Sequence, residues 1–214
     1  MQIGVYTAIL HDRDLDSALD VIQSLGLNGA EINSGGFLPP IHLPINDIMS
    51  SNDKRDEYLN KFTSRGIKLT ALNCNGNPLS PNKSVGARQA QDVIDTVQIA
   101  NRLGVDRVIT MSGLPAAEPN GTRAAWYVNT WSSEHLDALD YQWDEVAVPF
   151  WKKIDEIAGE FIDKLDGNFY SGASITELTF SFYVEEVGGL ETERWLLEFP
   201  ISDLETDPAK LYPN

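Results

Sequence analysis

Between residues 3 and 111, short apolar runs alternate with stretches whose apolar residues recur every three or four positions. The first pattern suits buried strands, and the second suits helices with one face on a core. Ile3-Gly4-Val5-Tyr6-Thr7 predicts a first strand. His11 to Asp14 leads into a helix with Leu15, Ala18, Leu19, Ile22 and Leu25 on one face, and Gly26 stops it. Residues 29–33 predict a second strand, which ends in Ser34-Gly35-Gly36 and a proline-bearing loop to Pro44. Residues 53–65 predict a second helix with Leu59 and Phe62 inward, closed by Gly66. The run 67–72 predicts a third strand, followed by the polar, turn-forming Asn73-Cys74-Asn75-Gly76-Asn77-Pro78. Ser84 is the expected N-cap of a third helix, with Ala90, Val93, Ile94, Val97 and Leu103 as its apolar stripe and Gly104 at its end. Residues 105–111 predict a fourth strand, ending in Ser112-Gly113-Leu114-Pro115.

Such alternation predicts parallel strands in the order 1-2-3-4, joined by right-handed crossovers. Strand spacings of roughly 25 to 40 residues match one βα unit each. Polar loops after such strands are where α/β enzymes present groups to a ligand. No G-x-G-x-x-G follows the first strand, so a dinucleotide fold is not indicated.

Beyond Pro115 the character changes. Trp126, Tyr127, Trp131, Tyr141 and Trp143 form either a local mini-core or the wall of a sugar site, where aromatic faces cover a sugar ring. A helix is expected over 143–158, with Val146, Phe150, Ile154 and Ile157 inward and Pro149 kinking it or setting its first turn. The runs 175–184 and 194–199, around a Gly188-Gly189 turn, predict a β-hairpin.

The 214 residues suffice for one sizeable core. A net charge of -16 repels phosphate backbones and anionic membrane surfaces, so neither nucleic acid nor a membrane is an expected partner. Cys74 stands alone, with no basic residue beside it, and reads as an inert thiol. The N-terminus lacks a basic n-region, and no apolar run approaches the roughly 20 residues of a bilayer span, so a cytoplasmic location is expected. His11, His42 and His135 show no metal-ligand spacing, and no nucleophile elbow is present.

Leu72-Asn73-Cys74-Asn75-Gly76-Asn77-Pro78-Leu79-Ser80-Pro81-Asn82 resembles the LNCxGNPLHP segment of sugar phosphate isomerase/epimerase-like proteins of the xylose isomerase-like barrel superfamily. Val108-Ile109-Thr110-Met111-Ser112-Gly113-Leu114-Pro115 is similar to that family's fourth-strand motif. Tyr141-Gln142-Trp143-Asp144-Glu145-Val146 and Pro149-Phe150-Trp151 resemble its next helix. The resemblance runs from about residue 2 to residue 158. It implies a (β/α)8 barrel with its site at the C-terminal ends of the strands. It also implies proton movement beside a sugar carbonyl on a divalent metal such as Mn, Mg, Co or Zn, held by Glu, Asp, His and Glu at the ends of the later strands.

The sequence departs from that pattern after Ala158. Residues 159–214 are too few for four more βα units, since a whole barrel takes about 250 residues. Leu197-Glu198-Phe199-Pro200 and Asp207-Pro208-Ala209-Lys210 echo later motifs, yet stand closer than the ten or so residues of a parallel crossover. The expected fold class is therefore α/β: a partial (β/α) barrel of four parallel βα units over 1–158, plus a divergent β-rich tail over 159–214. Pocket-lining residues are expected to be Glu31, Asn73, Asn75 and Ser112, at the ends of strands two to four, with Trp126 as a stacking face. No catalytic residue or metal ligand is assigned, and the chain is expected not to hold the family's metal. By resemblance it is a sugar (phosphate) isomerase or epimerase. The other reading is a truncated, non-catalytic homologue that binds only a sugar or a partner protein. Open sheet edges and an uncovered inner face lead to one of two expectations: homodimerisation that completes a barrel-like wall, or the tail hairpin covering one edge.

Overall fold

A computed structural model describes residues 3–127, 132–162, 177–182 and 195–200, with backbone only for 160–162 and the last two segments. The chain divides into two compact units, Met1–Ile157 and Ala158–Asn214.

In the first unit, strands β1 (Gly4–Tyr6), β2 (Gly29–Asn33), β3 (Lys68–Cys74) and β4 (Val108–Thr110) form one sheet in the order β1-β2-β3-β4. All three pairings are parallel. Sequential order without reversal is that of consecutive units of a (β/α) barrel, whereas a doubly wound sheet reverses at a switch point. The fold class is thus α/β with four parallel βα units, as the alternation predicts.

Register sorts the strand residues into two faces. Val5, Ala30, Ile32, Leu69, Leu72 and Val108 belong to the apolar cluster on the helix-covered face. Tyr6 stands opposite Glu31, Glu31 opposite Ala71, and Asn33 opposite Asn73, on the other face. The register shifts between Ala30 and Glu31, leaving Thr70 as the extra residue of β3. Its hydroxyl donates to the Ala30 carbonyl at 3.0 Å. This bulge puts Leu69 and Leu72 on one face although they are three apart, which breaks strict alternation.

The helices are α1 (Leu15–Ser24), α2 (Ile45–Ser50), α3 (Asn52–Thr63), α4 (Lys83–Leu103), α5 (Ser133–Asp140) and α6 (Val148–Ile162). Leu19 and Ile22 of α1, Ile48 of α2, Phe62 of α3 and Ile99 of α4 are fully buried against the sheet cluster. Ion pairs of Lys61 with Asp16, and of Arg65 with Asp16 and Asp20, join α3 to α1. Gly26, Gly66 and Gly104 all adopt φ near +70° where a helix hands over to a strand, the conformation glycine takes without strain.

Several expectations are corrected. Asn82, not Ser84, caps α4: its side chain accepts the Val85 N–H, and the Ser84 hydroxyl donates to it. The buried stripe of α4 runs through Gln89, Val93, Thr96, Ile99, Ala100 and Leu103, while Ala90, Ile94 and Val97 are half-buried. β3 continues through Cys74, β1 stops at Tyr6 where Thr7–Leu10 forms a 3-10 turn, and β4 is shorter than 105–111. In place of one helix over 143–158, a π-helical turn, Tyr141–Ala147, links α5 to α6. Pro149 sits at the start of α6, where its missing N–H follows the widened turn.

In the second unit, β5 (Glu177–Phe182) and β6 (Trp195–Pro200) pair antiparallel, from Glu177 opposite Pro200 to Phe182 opposite Trp195. The expected Gly188-Gly189 turn and the Asp207-Pro208-Ala209-Lys210 echo lie outside the described residues.

Candidate functional site

The face of the sheet opposite the helices becomes polar toward the C-terminal ends of its strands. Glu31 and Asn73, both expected there from sequence, meet directly: Asn73 Nδ2 donates to Glu31 Oε1 at 2.6 Å. Parallel strands in register put the two ends side by side, and small Ala71 beside Glu31 leaves room for its carboxylate. Asn73 is 3 % exposed, while Glu31 is half-buried and no described residue donates to its Oε2. Asn75 follows in a turn, its N–H donating to Asn73 Oδ1 at 3.0 Å, and its side chain is half-exposed.

Sequence reasoning missed two members of this network. Tyr6 donates its hydroxyl to Asn33 Oδ1 at 2.8 Å, and Asn33 Nδ2 donates onward to the carbonyls of Leu38 and Pro39. Burial, and then the charge of Glu31, push the Tyr6 phenol up to about 12, so it stays a neutral donor at ordinary pH. The signal was present, since Tyr6 and Asn33 sit at strand ends in the same parity as Glu31, but each also reads as an ordinary strand or turn residue.

The loops behind this face are fixed by polar side chains of α4. Gly36 donates its N–H to Asp92 Oδ2, and Arg88 bonds both the Gly36 carbonyl and Asp92. A Cβ on Gly36, where φ is +82°, would stand 2.1 Å from the Asn75 carbonyl oxygen, so only glycine lets the loops after β2 and β3 touch. Gln89 accepts the Asn77 N–H at 2.8 Å. Asn77 Nδ2 donates to the Leu114 carbonyl at 3.0 Å, and Leu114 N–H donates to Asn77 Oδ1 at 2.7 Å, tying the loop after β3 to the loop after β4. Cys74 points to the α4 side; burial pushes its thiol up to about 11, against the hydroxyls of Thr96 and Ser34.

Two expected site residues make no described hydrogen bond to the Glu31–Asn73 pair. The Ser112 side chain is exposed, while its carbonyl accepts the Trp151 indole N–H at 2.9 Å. Trp126 is 75 % exposed. The aromatic region around it is organised by a buried amide: Gln142 Nε2 donates to the carbonyls of Pro115, Ala116 and Ala125. Tyr127 packs on His135, and Trp131 lies outside the described residues. A shallow cleft of about 450 Å³ lies between the 34–40 loop and Arg88, Asp92 and Asp95 of α4, and none of the five expected site residues lines it.

No group of three or more His, Cys, Asp and Glu side chains among the described residues could hold a metal ion. Among the described residues of the polar face, one carboxylate stands among amides and a phenol. That donor set does not fit a divalent cation, which needs several anionic or imidazole ligands. No described helix is long and apolar enough to cross a membrane.

No family model matches the sequence. The chain is 36% identical over 157 residues to the Bacillus subtilis (strain 168) protein named Uncharacterized protein YfiH, a match covering 72% of this chain and 50% of the relative. Among solved structures it is similar to a xylose isomerase domain protein from Planctomyces limnophilus, at 12% identity and TM-score 0.41 over 74% of this chain and 50% of that one. It is likewise similar to a D-psicose 3-epimerase solved with D-fructose, at 12% identity and TM-score 0.44 over 75% and 50%. An L-ribulose 3-epimerase matches at 15% identity and TM-score 0.40 over 75% and 47%. The chain spans about half the length of the curated relative and of these solved proteins.

Proposed function

We propose that this chain is a sugar isomerase/epimerase-like protein whose polar strand-end face binds a sugar or sugar phosphate. The observation that carries the reading is the Glu31–Asn73 pair, a half-exposed carboxylate held by a buried amide at the end of two parallel strands. Glu31 Oε2, to which no described residue donates, is an acceptor for a sugar hydroxyl, and the half-exposed Asn75 amide can supply a donor and an acceptor. Tyr6 and Asn33 hold the adjoining strand ends in place.

Proton transfer beside a sugar carbonyl needs charge at the carbonyl oxygen, and epimerisation needs a base on each side of the carbon. The resemblance implies that a divalent metal supplies that charge, but the described residues do not fit one. Glu31 is the one described carboxylate on this face, which favours the second reading: sugar binding without turnover by this chain. Ketose-dependent exchange of substrate carbon-bound hydrogen for solvent deuterium, with Mn²⁺, Mg²⁺ or Co²⁺ added, separates the two. Saturation-transfer NMR with a panel of ketoses tests binding itself. Glu31→Gln, which keeps the Asn73 contact but removes the charge, is expected to weaken binding by about tenfold, the value of one charge-assisted hydrogen bond. Equal transfer to wild type and Glu31→Gln would overturn the assignment. A cytoplasmic location belongs to the same proposal.

A further inference from the structure

His11, just after the 3-10 turn that follows β1, and His42, in the loop after β2, meet edge to face with ring centroids 4.9 Å apart and planes at 89°. His42 is 1 % exposed. Its Nε2 lies 2.9 Å from the Arg13 carbonyl oxygen. A carbonyl only accepts, so Nε2 carries the hydrogen and Nδ1 keeps a bare lone pair. That Nδ1, and Nε2 of His11, are buried with no described partner. Rings at right angles do not aim two lone pairs at one point, so the pair is not a chelate.

We propose that the His11–His42 contact is an acid-sensitive latch, which holds the 7–14 turn against the 38–44 loop while His11 is neutral and releases them when His11 is protonated. A proton added at His11 Nε2 puts an N–H where no described acceptor waits, beside the His42 ring. The charged groups nearby are committed. Asp12 and Arg13 pair with each other at 2.7 Å. Asp14, whose carboxylate feels His42, accepts the Ser17 N–H at 2.8 Å as the cap of α1. Lys61 of α3 acts on Asp14 and pairs with Asp16, while Arg65 of α3 pairs with Asp16 and Asp20. Burial, then the neighbouring His42, lower the His11 pKa from its ordinary value. The native state therefore binds the proton less tightly than the unfolded chain, and stability falls as pH drops below the ordinary histidine range.

The latch reaches the polar face through Asn33, which donates to the Leu38 and Pro39 carbonyls of the same loop and accepts from Tyr6. Acid release would loosen Asn33 and Tyr6 while leaving the Glu31–Asn73 pair in place.

Hydrogen exchange on the intact chain at pH 7.5 and 5.5, corrected for intrinsic rates, is the test. The expected result is exchange over 7–14 and 38–44 that is several-fold faster at pH 5.5, with 68–74 unchanged. Long-range nitrogen NMR should show His42 protonated on Nε2 at pH 7.5. His11→Phe, which keeps an aromatic ring but cannot titrate, should remove the difference, and His42→Gln, whose amide can still donate to the Arg13 carbonyl, should reduce it. Exchange that is the same at both pH values in the wild type, an Nδ1–H tautomer of His42, or acid sensitivity that survives His11→Phe would each overturn the latch.

Discussion

Asn77→Ala should detach β4 from the rest of the strand-end loops. β4 is only three residues long, and its following loop is held by both polar atoms of the Asn77 side chain, at 3.0 and 2.7 Å on Leu114. The substitution removes both bonds and leaves the half-buried Leu114 N–H and carbonyl without a protein partner. At about 1 kcal/mol net for each bond, plus partial desolvation of the orphaned groups, the cost is about 2–3 kcal/mol. With a urea slope of about 2 kcal/mol/M, the midpoint should fall by about 1–1.5 M. Asn77→Asp keeps an acceptor for the Leu114 N–H but turns a carboxylate oxygen toward the Leu114 carbonyl, so it should also destabilise, by at least about 1 kcal/mol. Urea unfolding followed by fluorescence gives the midpoints, and hydrogen exchange over 108–114 shows whether the loss is local. A midpoint for Asn77→Ala within about 0.2 M of wild type would refute the clamp.

Gly36→Ala forces a Cβ to 2.1 Å from the Asn75 carbonyl oxygen and should cost about 3–5 kcal/mol, whereas Gly26→Ala, at φ +70° with nothing within 4 Å, should cost only about 1–2 kcal/mol; comparable melting temperatures for the two would contradict this. Because the folded-state values of Tyr6 and Cys74 are raised to about 12 and about 11, the native state holds those protons longer than the unfolded chain. Their stabilising contribution is thus complete below the ordinary values of 10 and 9 and is lost as pH rises from there, which denaturant midpoints at high pH will show. Native Cys74 should also resist alkylation until the chain unfolds. Among the described residues β1 and β4 are the edge strands of the sheet, so light scattering should show a dimer or larger species; a monomer at every concentration would count against edge pairing.

The strand order and the placement of Glu31 and Asn73 at strand ends were legible because both follow from local rules: alternation of elements fixes parallel order, and the end of each apolar run marks the strand end; their direct contact was not read from the sequence. The end of β3 was not, because Asn73 and Cys74 carry turn-like chemistry yet lie in a strand whose far face is polar. The true stripe of α4 was hidden by Gln89 and Thr96, polar residues buried because the loops they face need hydrogen bonds: Gln89 holds Asn77, and Thr96 meets the Ser34 hydroxyl at 2.8 Å. α2 escaped because six residues behind Pro44 give too short a period to register. The His11–His42 contact joins loops from two different βα units, so no spacing rule along the chain could find it. Trp126 drew notice by composition, which says nothing about whether a ring faces a pocket or, as here, solvent.

The most direct test of sugar binding at the Glu31–Asn73 pair is the Asn73 side-chain amide signal in a nitrogen–proton correlation spectrum during titration with a ketose. The expected result is a saturable shift of the Asn73 amide, with the Asn75 amide moving at the same midpoint, and loss of both responses in Glu31→Gln. Resonances of Asn73 and Asn75 that stay fixed while sugar binds elsewhere, or that shift identically in Glu31→Gln, would contradict it.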